Sequence, residues 1–463
     1  MAKHRVSSLP QSSTLLAVVV VQLLALWSAP VAAENKFPIV LVHGFAGWGR
    51  DELGGGAKYW GGFDGDWQEK LTAQGFDVRT AVIGPFSSDW DRACELYAYI
   101  KGGTVNYGNN HAKKHAHNVT GRTFPGLFPE WGQVVNGQVQ KVHLIGHSMG
   151  GQTARMLAQL LAQGTAGAPI QEDPKSHPLF QGGYDWIHSI TTFSTPNQGT
   201  TLGSALTVLG DVIVQLVSGL AGALGVPKDD DSALFYDAKL DQFGLARRSK
   251  SESLTAYIRR IMNSSLFNGS TKDNCLYSLS TAGAQEENKW VKTLPNVYYY
   301  SFSVRNSYEA RNFFLKKIAL PKPTMFLLLQ PFSLILGGRY TVDSLGYPET
   351  WLENDGAVNT ASMLSDGSGA LVEFKSISVP GRWHHMALLD NVDHEGVVGS
   401  NPLQHVFNVY AAQAVLLKNL PSWILDTQKR SLRGAAAMGE HTASEAIVRR
   451  IQEAVAEANA FNH

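Results

Sequence analysis

The segment Gly146-His147-Ser148-Met149-Gly150 constrains this chain more tightly than any other. An apolar run, residues 142–145, leads into it. A stretch rich in Ala, Met, Leu and Gln, residues 151–162, leads out. A strand before and a helix after are the context in which G-x-S-x-G carries chemical meaning. The turn between them is so tight that the residues two before and two after the serine must be small. The serine backbone is strained there, and its Oγ stands clear at the sheet edge. The following helix points its N-terminal amides at the same spot, where an oxyanion would form. Ser148 is therefore the expected nucleophile.

Such a turn needs a sheet around it. Residues 36–45 (KFPIVLVHGF), 187–193 and 297–304 (VYYYSFSV) are further compact runs of apolar, β-branched or aromatic residues. Helical stretches lie between them, which implies an α/β fold with a mostly parallel sheet. On such a fold the acid and the base follow the serine in chain order. For the base, His394 in NVDHE competes with His384, His385 and His405. For the acid, Asp355 in LENDG competes with Asp343 and Asp393. An Asp before Gly suits a carboxylate at a strand end and equally suits a plain turn. His43-Gly44-Phe45 closes the first run, so the amides of Phe45 and Met149 are the expected oxyanion donors.

A second group of reactive side chains lies at Asp91, Cys94, His111, His115 and His117. Zinc takes imidazole and carboxylate ligands, although HAKKHAHN also reads as a solvated, lysine-flanked loop. The absence of H-x-E-x-x-H makes any metal here structural rather than hydrolytic. Cys94 falls in the helix-like DRACELYAYI and reads as packing. Cys275 is the only other cysteine, which leaves one disulfide or two buried thiols open.

Lys+Arg and Asp+Glu balance at 39 each, so no global field recruits nucleic acid or an anionic membrane. Any lipid contact must come from apolar surface. Lys3 and Arg5, the apolar residues 15–27 broken only by Gln22, and Val31-Ala32-Ala33 together read as a secretory signal peptide over 1–33. The apolar run is 13 residues, against the roughly 20 that span a bilayer. A secreted chain starting near Glu34 is expected, with sequons at Asn118, Asn263 and Asn268 as sugar acceptors. Residues 202–224 are apolar with Asp211 as the sole charge, and composition alone favours a core helix. From about residue 428 a solvated linker is expected. A single amphipathic helix should follow, capped by Thr442 with Glu445 and striped by Ile447, Val448, Ile451 and Val455.

Residues 37–425 resemble the thermoalkalophilic lipases of bacilli and the related staphylococcal lipases. The likeness rests on PIVLVHGFAGWGR, KYWGG, DWDRACELYA, GGTVNYG, GRTFPGLFPEW, GHSMGGQTARML, KLDQFGL, WLENDGAVNT and VDH. It implies the α/β-hydrolase fold over 34–427, with Ser148, Asp355 and His394 as triad and Phe45 and Met149 as oxyanion amides. It implies a structural zinc held by Asp91, His111, His117 and Asp241, on an insertion at about 88–130, with His115 as a bystander. It also implies a calcium site beside the base, at Glu395, Asn401 and Pro402. Here the chain departs from the family, with Gly396 in place of a Glu and Asn401 in place of an Asp. The segment 202–224 becomes a lid over an acyl-binding cleft, against the core-helix reading. The tail from 428 has no counterpart. The expected activity is that of a secreted lipase acting on long-chain acylglycerols at a lipid–water interface. A short-chain esterase, a phospholipase and a non-catalytic binding protein are the alternatives.

Overall fold

The computed structural model describes residues 35–53, 58–206, 236–422 and 440–460. The expected signal peptide, most of the expected lid and the first part of the tail lie outside these residues. Seven parallel strands form the centre: β1 (Ile39–Val42), β2 (Val78–Thr80), β3 (Val142–His147), β4 (Ile187–Phe193), β5 (Tyr298–Arg305), β6 (Ala370–Glu373) and β7 (Arg382–Asp390). Their order is β6-β7-β5-β4-β3-β1-β2.

The alternation of side chains across this sheet builds two cores, which is why its central strands read as unbroken apolar runs. Val40, Val42, Leu144 and Ile190 face one side. Against them pack α1 (Asp89–Lys101), through Ala93 and Leu96, and α3 (Met149–Gln163), through Leu157 and Leu160. Ile39, Leu41, Ile145 and Phe193 face the other side, where α6 (Phe407–Asn419) packs through Val409, Tyr410 and Leu416. Phe193 lies between the rings of Phe302 and Tyr410, with centroids at 4.4 and 4.1 Å. Three shorter helices complete the elements used below: α2 (Asn109–His115), α4 (Thr201–Leu206) and α5 (Gln330–Leu336).

The amphipathic helix expected near the C-terminal end is α7 (Glu445–Ala460). It docks on α6 and β7 and buries Ile447, Ile451, Ala454 and Ala458. Its start differs from the expected capping box. Thr442 pairs with Ile377 as a short strand, and Ser444 Oγ takes the N–H of Ile447 at 3.4 Å. Asn459 reaches back to β7, accepting from Asp390 N and donating to Leu388 O. Both cysteines are buried free thiols.

In parallel sheets of this kind, binding sites collect where the strands end. The chain places Phe45 after β1, Ser148 after β3, Ser194 after β4 and His394 after β7.

Candidate active site and metal centre

The turn around Ser148 has the form its sequence demands. Ser148 sits at φ 54°, ψ −131°, outside the regions L-residues favour. A Cβ on Gly146 would lie 2.4 Å from Gly151 N, and one on Gly150 would lie 2.1 Å from Val42 O. Met149 opens α3, so its N–H is among those with no intrahelical acceptor. The turn presenting Phe45 is held from behind by Arg92, a residue the sequence reading passed over. Its wholly buried guanidinium donates to His43 O, to Gly84 O at 2.7 Å and to Thr153 Oγ1 at 2.8 Å. Tyr59 adds a second brace, accepting from Gly44 N at 2.9 Å and meeting His147 Nδ1 at 2.6 Å.

Ser148 and His394 line one cavity with Phe45, Trp48, Leu202 and Phe332. His394 Nδ1 lies 2.8 Å from Asp355 Oδ2. Asp355 is fully buried, and its Oδ1 accepts from Ala357 N at 2.9 Å and Val358 N at 2.8 Å. The Ser194 hydroxyl donates to Asp355 Oδ2, and its oxygen lies 2.8 Å from His394 Nδ1. Ser194 was also missed; its signal was a polar FSTPN directly after an apolar strand. Burial alone would lower the His394 pKa, but the Asp355 carboxylate overcomes it and holds the imidazole above its ordinary 6.5. Burial pushes Glu395, on the same cavity wall, up to about 7.

The rival histidines and carboxylates are employed elsewhere. His384 accepts from Val379 N, and His385 sits between Ser303 and Glu373. His405 is exposed. Asp343 pairs with Arg339, and Asp393 is a hydrogen-bond acceptor buried beneath the His394 loop.

A second cluster lies where α1 and α2 meet the segment before Cys275. Asp91 Oδ1, His111 Nε2, His117 Nε2 and Asp273 Oδ2 converge, with all four atoms within 4.8 Å of one another. His111 Nε2 stands 3.3 Å from Asp91 Oδ1 and 3.2 Å from Asp273 Oδ2, and His117 Nε2 stands 3.2 Å from Asp273 Oδ2. A tetrahedral ion with ligands at about 2 Å has edges of about 3.3 Å. The same four atoms are buried without a hydrogen-bond partner. Four orphaned atoms aimed at one point is what a cation would satisfy. Burial alone would lower the pKa of His111, yet the facing carboxylates raise it to about 10, so the cluster calls for positive charge. Outer contacts fix the ligands. His117 Nδ1 donates to Asn118 O at 2.8 Å, Gln242 Nε2 donates to Asp91 Oδ2 at 3.0 Å, Ser88 donates to Asp273 Oδ1, and Trp90 stacks on His111.

The chain matches the family model described as "Lipase-like, C-terminal domain" over residues 35–415. The chain belongs to this lipase-like family. A lipase of Staphylococcus epidermidis is 34% identical over 380 residues, which are 80% of this chain and 51% of that protein. The chain thus spans about half the length of the curated relatives it matches. The structure of lipase 1 from Pelosinus fermentans is 42% identical, covers 83% of this chain and 99% of its own, and superposes with a TM-score of 0.71. The structure of EstA from Clostridium botulinum is 40% identical, covers 85% and 90%, and gives 0.73. These relatives agree with the expected staphylococcal-lipase likeness and with the α/β-hydrolase fold.

Within this lipase-like chain two sequence expectations need correction. Asp241 is not in the metal cluster; Asp273 is. Asp241 opens a short turn (Asp241–Phe243), is 41% exposed at its side chain, and pairs with Arg122. Its neighbour Gln242 turns inward and supports Asp91, so the KLDQ motif touches the site one layer out. His115 stays outside the four, with Nδ1 2.8 Å from Thr271 Oγ1. The calcium positions do not assemble either. Glu395 faces the cavity with Ser148, Pro402 is exposed, and Asn401 presents an NH₂ group to its carboxylate neighbour. Asn118, Asn263 and Asn268 are all exposed. Of the expected lid only residues 202–206 are described, in α4, and Leu202 lines the cavity.

Proposed function

We propose that this chain is a secreted lipase that hydrolyses long-chain acylglycerol esters through Ser148, His394 and Asp355. The observation that carries the reading is the apolar cavity that Ser148 lines together with a histidine held by a buried carboxylate at 2.8 Å. In this mechanism the acyl chain lies along the apolar wall and its carbonyl sits over Ser148. His394 Nε2 takes the Ser148 proton while Oγ bonds to the carbonyl carbon. Asp355 holds the imidazole with Nδ1–H inward and stabilises the imidazolium. The N–H groups of Phe45 and Met149 receive the oxyanion. The alcohol leaves with the proton from His394, and water then releases the acid through the same base. Zinc fits the donor set of Asp91, His111, His117 and Asp273 and would fasten α1 and α2 to the segment at 271–274. The exposed sequons and the basic-then-apolar leader support the secreted, glycosylated reading. No helix among the described residues is long and apolar enough to cross a membrane.

The lipid-surface part of the reading is supported by a hairpin, residues 307–311 paired with 317–321. Its tip carries Phe313, Phe314 and Leu315, exposed by 94, 77 and 72%. The hairpin packs on α5, whose Phe332 lines the cavity while Leu334 faces outward. Apolar groups this exposed gain free energy on entering an acyl layer. Phe313→Ser with Phe314→Ser should lower the rate on emulsified long-chain triacylglycerol about tenfold. The rate on a soluble short-chain ester should stay unchanged. Wild-type activity on the soluble ester alone would make the chain an esterase. No serine-dependent activity on either substrate would leave the binding-protein reading.

The pH profile follows from the base. His394 works only when neutral, so kcat/KM rises with pH through its free-enzyme pKa. That pKa is raised, so the acid limb should lie above pH 6.5. Glu395 contributes to the raising. Glu395→Gln should therefore move the limb to lower pH, read from kcat/KM on a soluble ester between pH 5 and 9.

A further inference from the structure

We infer that two side-chain amides, Asn401 and Gln404, do the work of a bound cation in fixing the loop that carries His394. The functional weight of this rests on the proposed role of His394 as base. Directly beside His394, the Asp393 carboxylate is fully buried. Its Oδ1 accepts from Gly396 N at 2.7 Å and Glu395 N at 3.1 Å, so it spans the histidine from behind. Its Oδ2 accepts from Phe326 N and Asn401 Nδ2, each at 2.7 Å, and from Gln404 Nε2 at 3.2 Å. The same two amide groups donate to Thr324 O at 3.1 and 3.2 Å.

The chemistry fixes which way both amides point. Asn401 Oδ1 accepts from Leu403 N at 3.0 Å, and Gln404 Oε1 accepts from Asp393 N at 2.9 Å. Their NH₂ groups are therefore the ends that meet the carboxylate, which can only accept. A divalent ion such as calcium needs oxygens turned toward it. Here the two oxygens facing the gap, Asp393 Oδ2 and Thr324 O, are both covered by N–H donors. Position 396 offers no replacement. A Cβ on Gly396 would lie 1.6 Å from Gln404 Oε1, so the glutamine fills the volume that a side chain there would need. Glu395 faces the substrate cavity instead. Burial raises the pKa of Asp393, and five N–H donors oppose that rise where a counter-ion would otherwise stand. Asn401 and Gln404 are thus positioning residues, and the loop holds its shape without divalent cations.

The test uses the full chain, saturated with zinc and otherwise free of divalent ions, with and without millimolar calcium. The wild type should show the same melting temperature and the same kcat on a soluble ester in both. Asn401→Asp sets a second carboxylate against Asp393. Its kcat should fall about tenfold without calcium at unchanged KM, and calcium should restore it. Asn401→Ala should fall similarly and gain nothing from calcium. Calcium-induced stabilisation of the wild type, stoichiometric calcium binding by equilibrium dialysis, or an Asn401→Asp protein indifferent to calcium would each overturn the inference. If the wild type hydrolyses no ester, the proposed base fails. The melting temperatures then decide the amide clamp by themselves, and the wild-type titration does so even if no variant folds.

Discussion

Ser148→Ala should lower kcat on a soluble ester by about 10⁶-fold, leaving a residue of about 10³–10⁴ over the uncatalysed reaction from oxyanion donors and binding. The loss is that large because His394 and Asp355 have no function without a nucleophile to deprotonate. Folding should be almost untouched, since Ser148 Oγ is not part of the hydrogen-bonded support beneath the turn. The same position offers a structural control. Ser148 holds φ 54°, ψ −131°, a conformation costing about 1–3 kcal/mol for a residue with a Cβ. Alanine keeps that cost and glycine relieves it. Ser148→Gly should therefore be as inactive as Ser148→Ala yet melt higher. Titrimetric rates with differential scanning calorimetry on the three proteins check both statements. Retained activity in Ser148→Ala would remove this serine from the mechanism.

Asp273→Ala should abolish stoichiometric metal binding, while Asp241→Ala should leave it intact. Asp273 Oδ2 faces both His111 and His117 at 3.2 Å, so its loss opens the cluster on one side. It also leaves Asp91 facing two imidazoles around an unfilled point. Breaking a buried charge cluster of this kind costs about 3–5 kcal/mol, a fall in melting temperature of about 5–10 °C. Asp241 is 41% exposed at its side chain, and its loss leaves Arg122 still paired with Asp237, an effect of about 1 kcal/mol at most. Elemental analysis of the purified chains and thermal melts separate the two. Metal retained by Asp273→Ala and lost by Asp241→Ala would reverse the assignment made from geometry.

That reversal of roles shows where the sequence stopped being readable. Local rules reached far. The glycines of GHSMG could be read because backbone crowds them from both sides, and β3 and β4 because a core covers the sheet on each face there. Asp355 and His394 could be narrowed by chain order and loop context. The strand β7 escaped because it opens Arg382-Trp383-His384-His385, of which Trp383, His384 and His385 each find a hydrogen-bond partner on a neighbouring segment. β2 escaped because three residues give no period. Arg92 and Ser194 escaped because their value lies mainly in partners more than 40 residues away, His43 and Thr153 for the one and Asp355 for the other. The metal set failed at one ligand for the same reason. Asp241 and Asp273 are both Asp in polar surroundings, and only the folded path decides which carboxylate turns inward. The amides at 401 and 404 carry no motif; their meaning comes from the single carboxylate they share.

The bond from Asn459 to the backbone of Asp390 joins residues 69 apart in the chain. A ribosome working at about 5–20 residues per second needs roughly 3–14 s to cover that interval. During that time β7 and the loop beyond it exist without α7 behind them. The turn at Ser148 is made from neighbours that have long since emerged. The strand that leads into the His394 loop is backed only when a much later piece of the polypeptide arrives, so the order of synthesis sets when β7 is first held from behind.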